Sequence, residues 1–197
     1  MVRPPELQTI VGYASVFDCT YIAPPDGHFE LIRSVAFARF CAEVQSGERN
    51  VVACIDHDRT RQVASTIDGT LTLREDPHGL LIVAKVDETT QAGHALLRGL
   101  YHGQLAGMSI HNDPAIDEEH FLERRVVDGK LQSVKIIRSA RCNEVSFVLR
   151  GANKATACVI AGEHRRFEPA PWNGYQRGTQ ANSLARLVGI AERIVGG

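Results

Sequence analysis

The chain lacks a long apolar run, an excess of charge of either sign and a paired-cysteine pattern. Each shortfall removes a class of function. No stretch approaches the roughly 20 consecutive apolar residues of a membrane-spanning helix, so no membrane association is expected. The start, Met1-Val2-Arg3-Pro4-Pro5-Glu6, has no apolar segment behind a basic one, so no secretory signal is predicted. Basic side chains number 22 and acidic ones 23, a formal net charge of -1. That balance offers no basic field of the kind nucleic-acid binding uses. The five cysteines are Cys19, Cys41, Cys54, Cys142 and Cys158. Their odd number and lack of metal-ligand spacing argue against a disulfide framework or a zinc site and fit free thiols in a reducing cytosol. His28, His78, His94, His102, His120 and His164 show no ligand spacing either, so no metal or cofactor is expected. There is no internal repeat and no low-complexity tract.

What remains is a chain of 197 residues, 44% hydrophobic, enough to bury one core. Thr9–Phe17 and His28–Arg33 are strand-like, separated by the turn residues Pro24-Pro25-Asp26-Gly27. Val35–Val44 predicts a short helix with Ser34 as N-cap. Val51–Ile55 is a compact apolar strand that delivers His57 between Asp56 and Asp58. Gln62–Ile67 and Thr70–Arg74 flank Asp68-Gly69, a strong hairpin signal, and Leu80–Val86 follows the turn Asp76–Gly79. Asp87 is placed to cap a helix over Glu88–His102, closed by Gly103. Leu105–Ile110 is strand-like and carries Ser109. His120–Val127 and Leu131–Ile137 flank a second hairpin signal, Asp128-Gly129. Arg141–Leu149 alternates, with Glu144 and Ser146 on one face, and Thr156–Ile160 is a last strand.

About ten closely spaced strands with hairpin signals predict an α+β, mainly β fold with a mostly antiparallel sheet and two or three helices. A closed or nearly closed barrel with helices outside is the expected form, because closure removes exposed edges. After Gly162 the composition changes: residues 163–197 hold a Pro/Gly-rich arm and an amphipathic helix over Ser183–Val195. Residues 1–162 are therefore expected to form one domain, with 163–197 as an appendage.

Three residue types carry candidate chemistry: a histidine (His57), a serine (Ser109) and an acid (Glu144 or Asp58). They are the inventory for nucleophilic acyl transfer, in which a base takes the serine proton and a third group orients the base. A Cys54–His57 pair is disfavoured, because residues an odd number apart in a strand face opposite sides. The Gly-x-Ser-x-Gly elbow of α/β-hydrolases is absent, since position 111 is His.

The ordered set Gly12-Tyr13-Ala14-Ser15-Val16-Phe17, His57-Asp58, Glu75-Asp76-Pro77-His78-Gly79-Leu80, Gly107-Met108-Ser109 and Glu144-Val145-Ser146-Phe147-Val148, followed by Ala152-Asn153, resembles the tailed-phage prohead maturation proteases, relatives of the herpesvirus capsid assembly proteases. The resemblance spans roughly residues 9–160. It departs after Ser109, where Ile110-His111-Asn112 replaces the family's aliphatic, glycine and aromatic. It implies a herpesvirus-protease-like fold and a serine endopeptidase with Ser109 as nucleophile, His57 as base and Glu144 as third member. His111 would take that last role in the Ser-His-His arrangement of the herpesvirus relatives. It also implies an oxyanion loop at Arg150-Gly151. The implied partners are the major capsid protein with its scaffold segment, the chain itself, and a second copy of the chain, since the herpesvirus relatives dimerise. The implied place is the host cytoplasm, inside the assembling procapsid. A structural capsid protein that keeps the fold without turnover is the rival expectation.

Overall fold

The computed structural model describes residues 7–111, 118–162 and 177–195. The described chain runs β1 (Leu7–Val16), β2 (Tyr21–Ala23), β3 (His28–Ile32), α1 (Ala38–Gln45), β4 (Val52–Ile55), β5 (Asp58–Ser65), β6 (Leu71–Glu75) and β7 (Gly79–Asp87). It continues with α2 (Gln91–Tyr101), β8 (Gly107–His111), β9 (Glu118–Val127), β10 (Lys130–Ala140), β11 (Glu144–Val148), β12 (Ala157–Ile160) and α3 (Arg177–Val195). Among the described residues strand predominates, beside three helices, so the mainly β expectation holds. Among the described residues the expected closed barrel is not found. The strands form three four-stranded sheets, ordered β12-β1-β7-β6, β2-β3-β10-β9 and β5-β4-β11-β8. Pairing is mostly antiparallel, with parallel contacts of β3 to β10 and of β4 to β11.

The sheets separate because of how turns are used. The signal at Asp68-Gly69 does not make a hairpin. β5 pairs with β4, whereas β6 pairs with β7 in another sheet. Asp68-Gly69 is instead a corner between sheets, held by Thr70 N–H donating to the Ser65 carbonyl and Ser65 Oγ donating to Asp68. The Asp128-Gly129 signal does join its neighbours, β9 and β10. Both its residues have positive φ, 50° and 76°, as a two-residue hairpin turn of matching twist needs. Helix starts also differ from expectation. α1 begins three residues late, and the Phe37 N–H at its start is accepted by Glu75 at 2.7 Å rather than by Ser34. Thr90, not Asp87, caps α2, its hydroxyl accepting from Gly93 N–H at 3.0 Å.

β1 is apolar on both faces, so both must be covered. Ile10 and Ala14 point into the main core with Phe37, Phe40, Leu96 and Phe147. Val11, Tyr13 and Val16 point the other way, where Leu187, Ile190 and Ala191 of α3 pack over them. Two polar links fasten the same face: Tyr13 donates to Asp76 at 2.7 Å, and His78 Nε2 meets Ser183 Oγ at 2.7 Å. The amphipathic helix read from the sequence thus packs on the sheet with its apolar side. The arm expected before it lies outside the described residues. Among the described residues no helix is long and apolar enough to cross a membrane.

Candidate active site

β11 is central in its sheet, between β4 and β8, and all five of its residues are buried. Val145 and Phe147 face the main core. Glu144 and Ser146 therefore lie on the other face, and register fixes their neighbours. Ser146 stands opposite Ser109 of β8 and beside Cys54 of β4, and Glu144 stands opposite His111. One short run of sheet thus gathers residues distant in sequence. Ser109 is half-buried, Glu144 has a relative exposure of only 3%, and Ser146 is fully buried. A glutamate in an alternating strand usually faces solvent; here the crossing of three strands puts it inside.

His57 enters from the turn between β4 and β5. Asp56 and His57 have φ of 52° and 61°, the left-handed geometry of a two-residue hairpin turn normally supplied by Asn, Asp or Gly. A histidine in this region is strained by roughly 1–3 kcal/mol, a feature that clusters at functional sites. The strained turn is held from below. His57 N–H donates to Ser146 Oγ at 2.9 Å, and Asp56 N–H donates to the Phe147 carbonyl at 3.1 Å.

The His57 ring meets Glu144, with Nδ1 at 3.1 Å from Oε1 and 3.3 Å from Oε2. The hydrogen bond to Glu144 lifts the imidazole above its ordinary value of 6.5, against the opposing pull of burial. Burial pushes Glu144 up, but hydrogen bonds from His57 and Ser146 outweigh it and leave the carboxyl below its ordinary 4.5. The pair therefore favours a charged carboxylate facing an Nδ1–H, which leaves Nε2 as the free ring nitrogen.

Asp58, the alternative acid, is engaged elsewhere. Its Oδ1 accepts from Thr60 N–H at 2.9 Å and from Thr60 Oγ1 at 2.6 Å. His111 stands close, its ring centroid 6.2 Å from that of His57 and tilted by 60°, but the Nδ1 position is occupied by Glu144. Cys54 does not approach the ring. Its thiol lies 3.1 Å from Ser146 Oγ, and burial pushes it up to about 12, which makes it inert.

His57 and Ser109 share an open cleft of about 790 Å³. One wall is the end of β2 and the turn after it, with Ile22, Ala23, Pro24 and Pro25, and the other is the end of β11 and the segment after it, Val148–Ala152. No hydrogen bond joins the Ser109 hydroxyl to His57 among the described contacts. Arg150 and Gly151 line the same cleft as Ser109, where the family resemblance implied an oxyanion loop. Glycine is required there by close approach. A Cβ on Gly151 would collide with the Met108 carbonyl oxygen, and one on Gly107 would sit 3.0 Å from Gly151 N. Thr156 Oγ1 fixes the same stretch, accepting from Met108 N–H at 3.1 Å and donating to its carbonyl at 2.7 Å. Among the described residues no group of three His, Cys, Asp or Glu is placed to hold a metal ion.

A histidine bonded to a buried carboxylate, sharing a cleft with a serine hydroxyl, is the equipment of a serine hydrolase. The chain belongs to the caudovirus prohead serine protease family, whose model matches residues 2–169. No curated protein matches the chain. The family is one of phage capsid maturation, so membership implies contact with capsid proteins and work within the procapsid.

Sequence reasoning missed two features of the site. The Asp56-His57 hairpin turn was hidden because His57 occupies a position where glycine is the usual signal. Ser146 carried a signal only as part of the Glu144-Val145-Ser146 motif, two residues from Glu144 and so on the same strand face.

Proposed function

We propose that this chain is a serine endopeptidase in which Ser109 is the nucleophile, His57 the general base and Glu144 the group that orients His57. The observation that carries it is the 3.1 Å contact of His57 Nδ1 with buried Glu144, on a cleft that also holds Ser109. With Nδ1–H held by Glu144, Nε2 accepts the Ser109 proton as Oγ attacks the scissile carbonyl carbon. The proton then passes to the leaving amine as the C–N bond breaks, and water hydrolyses the acyl-enzyme by the same route. Backbone N–H groups at Arg150-Gly151 are suited to stabilise the oxyanion, because that segment packs against β8 just before Ser109.

The substrates we infer are the scaffold segment of the major capsid protein and the chain itself, cut inside the procapsid in the host cytoplasm. A capsid protein with the same fold but no turnover is the second reading. It is favoured by the lack of a Ser109–His57 hydrogen bond, although catalytic contacts commonly tighten only once substrate is bound. Co-expression with the major capsid protein, followed by intact mass, separates the two. A capsid protein shortened by the parent and left whole by Ser109→Ala supports the protease. Identical capsid masses with both folded proteins refute it.

A further inference from the structure

We infer that Ser146 is a positioning residue for this protease, the common anchor that sets the geometry of both His57 and Glu144. The inference rests on the proposed roles of those two residues. A hydroxyl has one proton to give and two lone pairs to accept with. At Ser146 all three are used. One lone pair of Ser146 Oγ accepts from His57 N–H at 2.9 Å, and the Cys54 thiol lies at 3.1 Å, within reach of the second lone pair. The single proton then goes to Glu144 Oε1 at 2.5 Å, a short bond of the kind a charged acceptor makes. One buried oxygen thus ties the backbone of the base to the carboxylate that holds the ring of the same base.

The arrangement answers a mechanical difficulty at this site. His57 sits in a strained left-handed turn and its side chain is 40% exposed, so neither packing nor backbone preference holds it. Glu144 could rotate about its side-chain torsions unless a second donor fixes one oxygen. Ser146 limits both freedoms from beneath. It is fully buried and does not line the cleft, so it touches no substrate and acts only through the pair above it. Its place opposite Ser109 in the register puts base, orienter and nucleophile on one rigid stretch of sheet. Cys54 completes the set as a buried, inert donor rather than a reactive thiol.

Ser146→Ala removes one oxygen from a packed site, so the fold should survive, and a melting curve checks this. With the capsid substrate, kcat should fall roughly 10- to 100-fold while KM stays within about twofold, the pattern for losing an orienting partner. Ser146→Ala added to Glu144→Gln should lower kcat by less than about threefold further, because the anchor then has no charged partner to hold. The Nδ1–H proton signal of His57, recorded in the Ser109→Ala background, should be present with Ser146 and lost or shifted upfield with alanine. Unchanged kcat in Ser146→Ala, or full additivity with Glu144→Gln, overturns the inference. If Ser109→Ala still cleaves, the catalytic reading falls instead. The Nδ1–H signal then decides for Ser146 alone: persistence of an unshifted signal in the Ser146→Ala variant overturns the anchoring role.

Discussion

Glu144→Gln tests the charge at the heart of the site while keeping its shape. Ser146 must donate its only proton to an oxygen, so the amide oxygen is drawn to the Oε1 position, where that bond is 2.5 Å. The amide NH2 then takes the Oε2 position, 3.3 Å from Nδ1. There it faces an N–H with another N–H, or donates to a bare Nδ1 and drives the ring proton to Nε2. The first arrangement removes the charge that stabilises the imidazolium, and the second blocks the nitrogen that must accept from Ser109. An amide in place of a triad carboxylate lowers kcat by about ten-thousand-fold where the tautomer is fully inverted. Because Oε1 remains near Nδ1 here, a loss of about 10³- to 10⁴-fold is expected, or about 4–5 kcal/mol of transition-state stabilisation. The assay is kcat/KM against the capsid substrate across pH, with a denaturant melt to confirm folding. The acid limb should also move to lower pH, since Glu144 is what lifts His57 above 6.5. A folded variant within about tenfold of the parent, with an unmoved acid limb, would refute the role of Glu144 and turn attention to His111.

The pair also predicts a pH dependence of stability. Glu144 has a lowered folded pKa, so its contribution is present above its ordinary 4.5 and is lost as pH falls through the folded value. His57 has a raised one, so its contribution is present below 6.5 and is lost as pH rises through the folded value. The stability difference between parent and Glu144→Gln, measured by denaturant unfolding, should therefore be largest between 4.5 and 6.5; a difference that is flat with pH would contradict it. Gly151→Ala should lose at least about 10²-fold in kcat, as expected for displacing an oxyanion donor, because the new Cβ meets the Met108 carbonyl and must push the segment off β8. Parent-like turnover would remove Gly151 from the mechanism. Leu187→Ala in α3 should destabilise the fold by about 2–5 kcal/mol while leaving kcat of the folded protein unchanged, because Leu187 is fully buried against Val11 and Tyr13, away from the cleft. A melting midpoint equal to the parent's would show that α3 adds no stability.

The sequence by itself determined what depends on near neighbours in the chain. Apolar and β-branched runs such as Thr-Ile-Val-Gly-Tyr marked strands, because β-branched and aromatic residues suit an extended, buried backbone, and β1 is indeed buried on both faces. Gly69, Gly103 and Gly129 marked turns and a helix end, because only glycine adopts their positive φ freely. The ordered motifs placed the chain in its family, in agreement with the match over residues 2–169. Pairing is another matter. Asp68-Gly69 specified a turn but not a hairpin, since a turn fixes local backbone while partners are chosen by which faces can be buried together. Neither did the strand count decide between a barrel and three sheets. The environment of Glu144 was likewise illegible: alternation says which face it shares with Ser146, not whether water lies on that face. Only the packing of β11 between β4 and β8, with the His57 turn folded over it, buried that carboxylate and turned a common Glu-Val-Ser strand into a site.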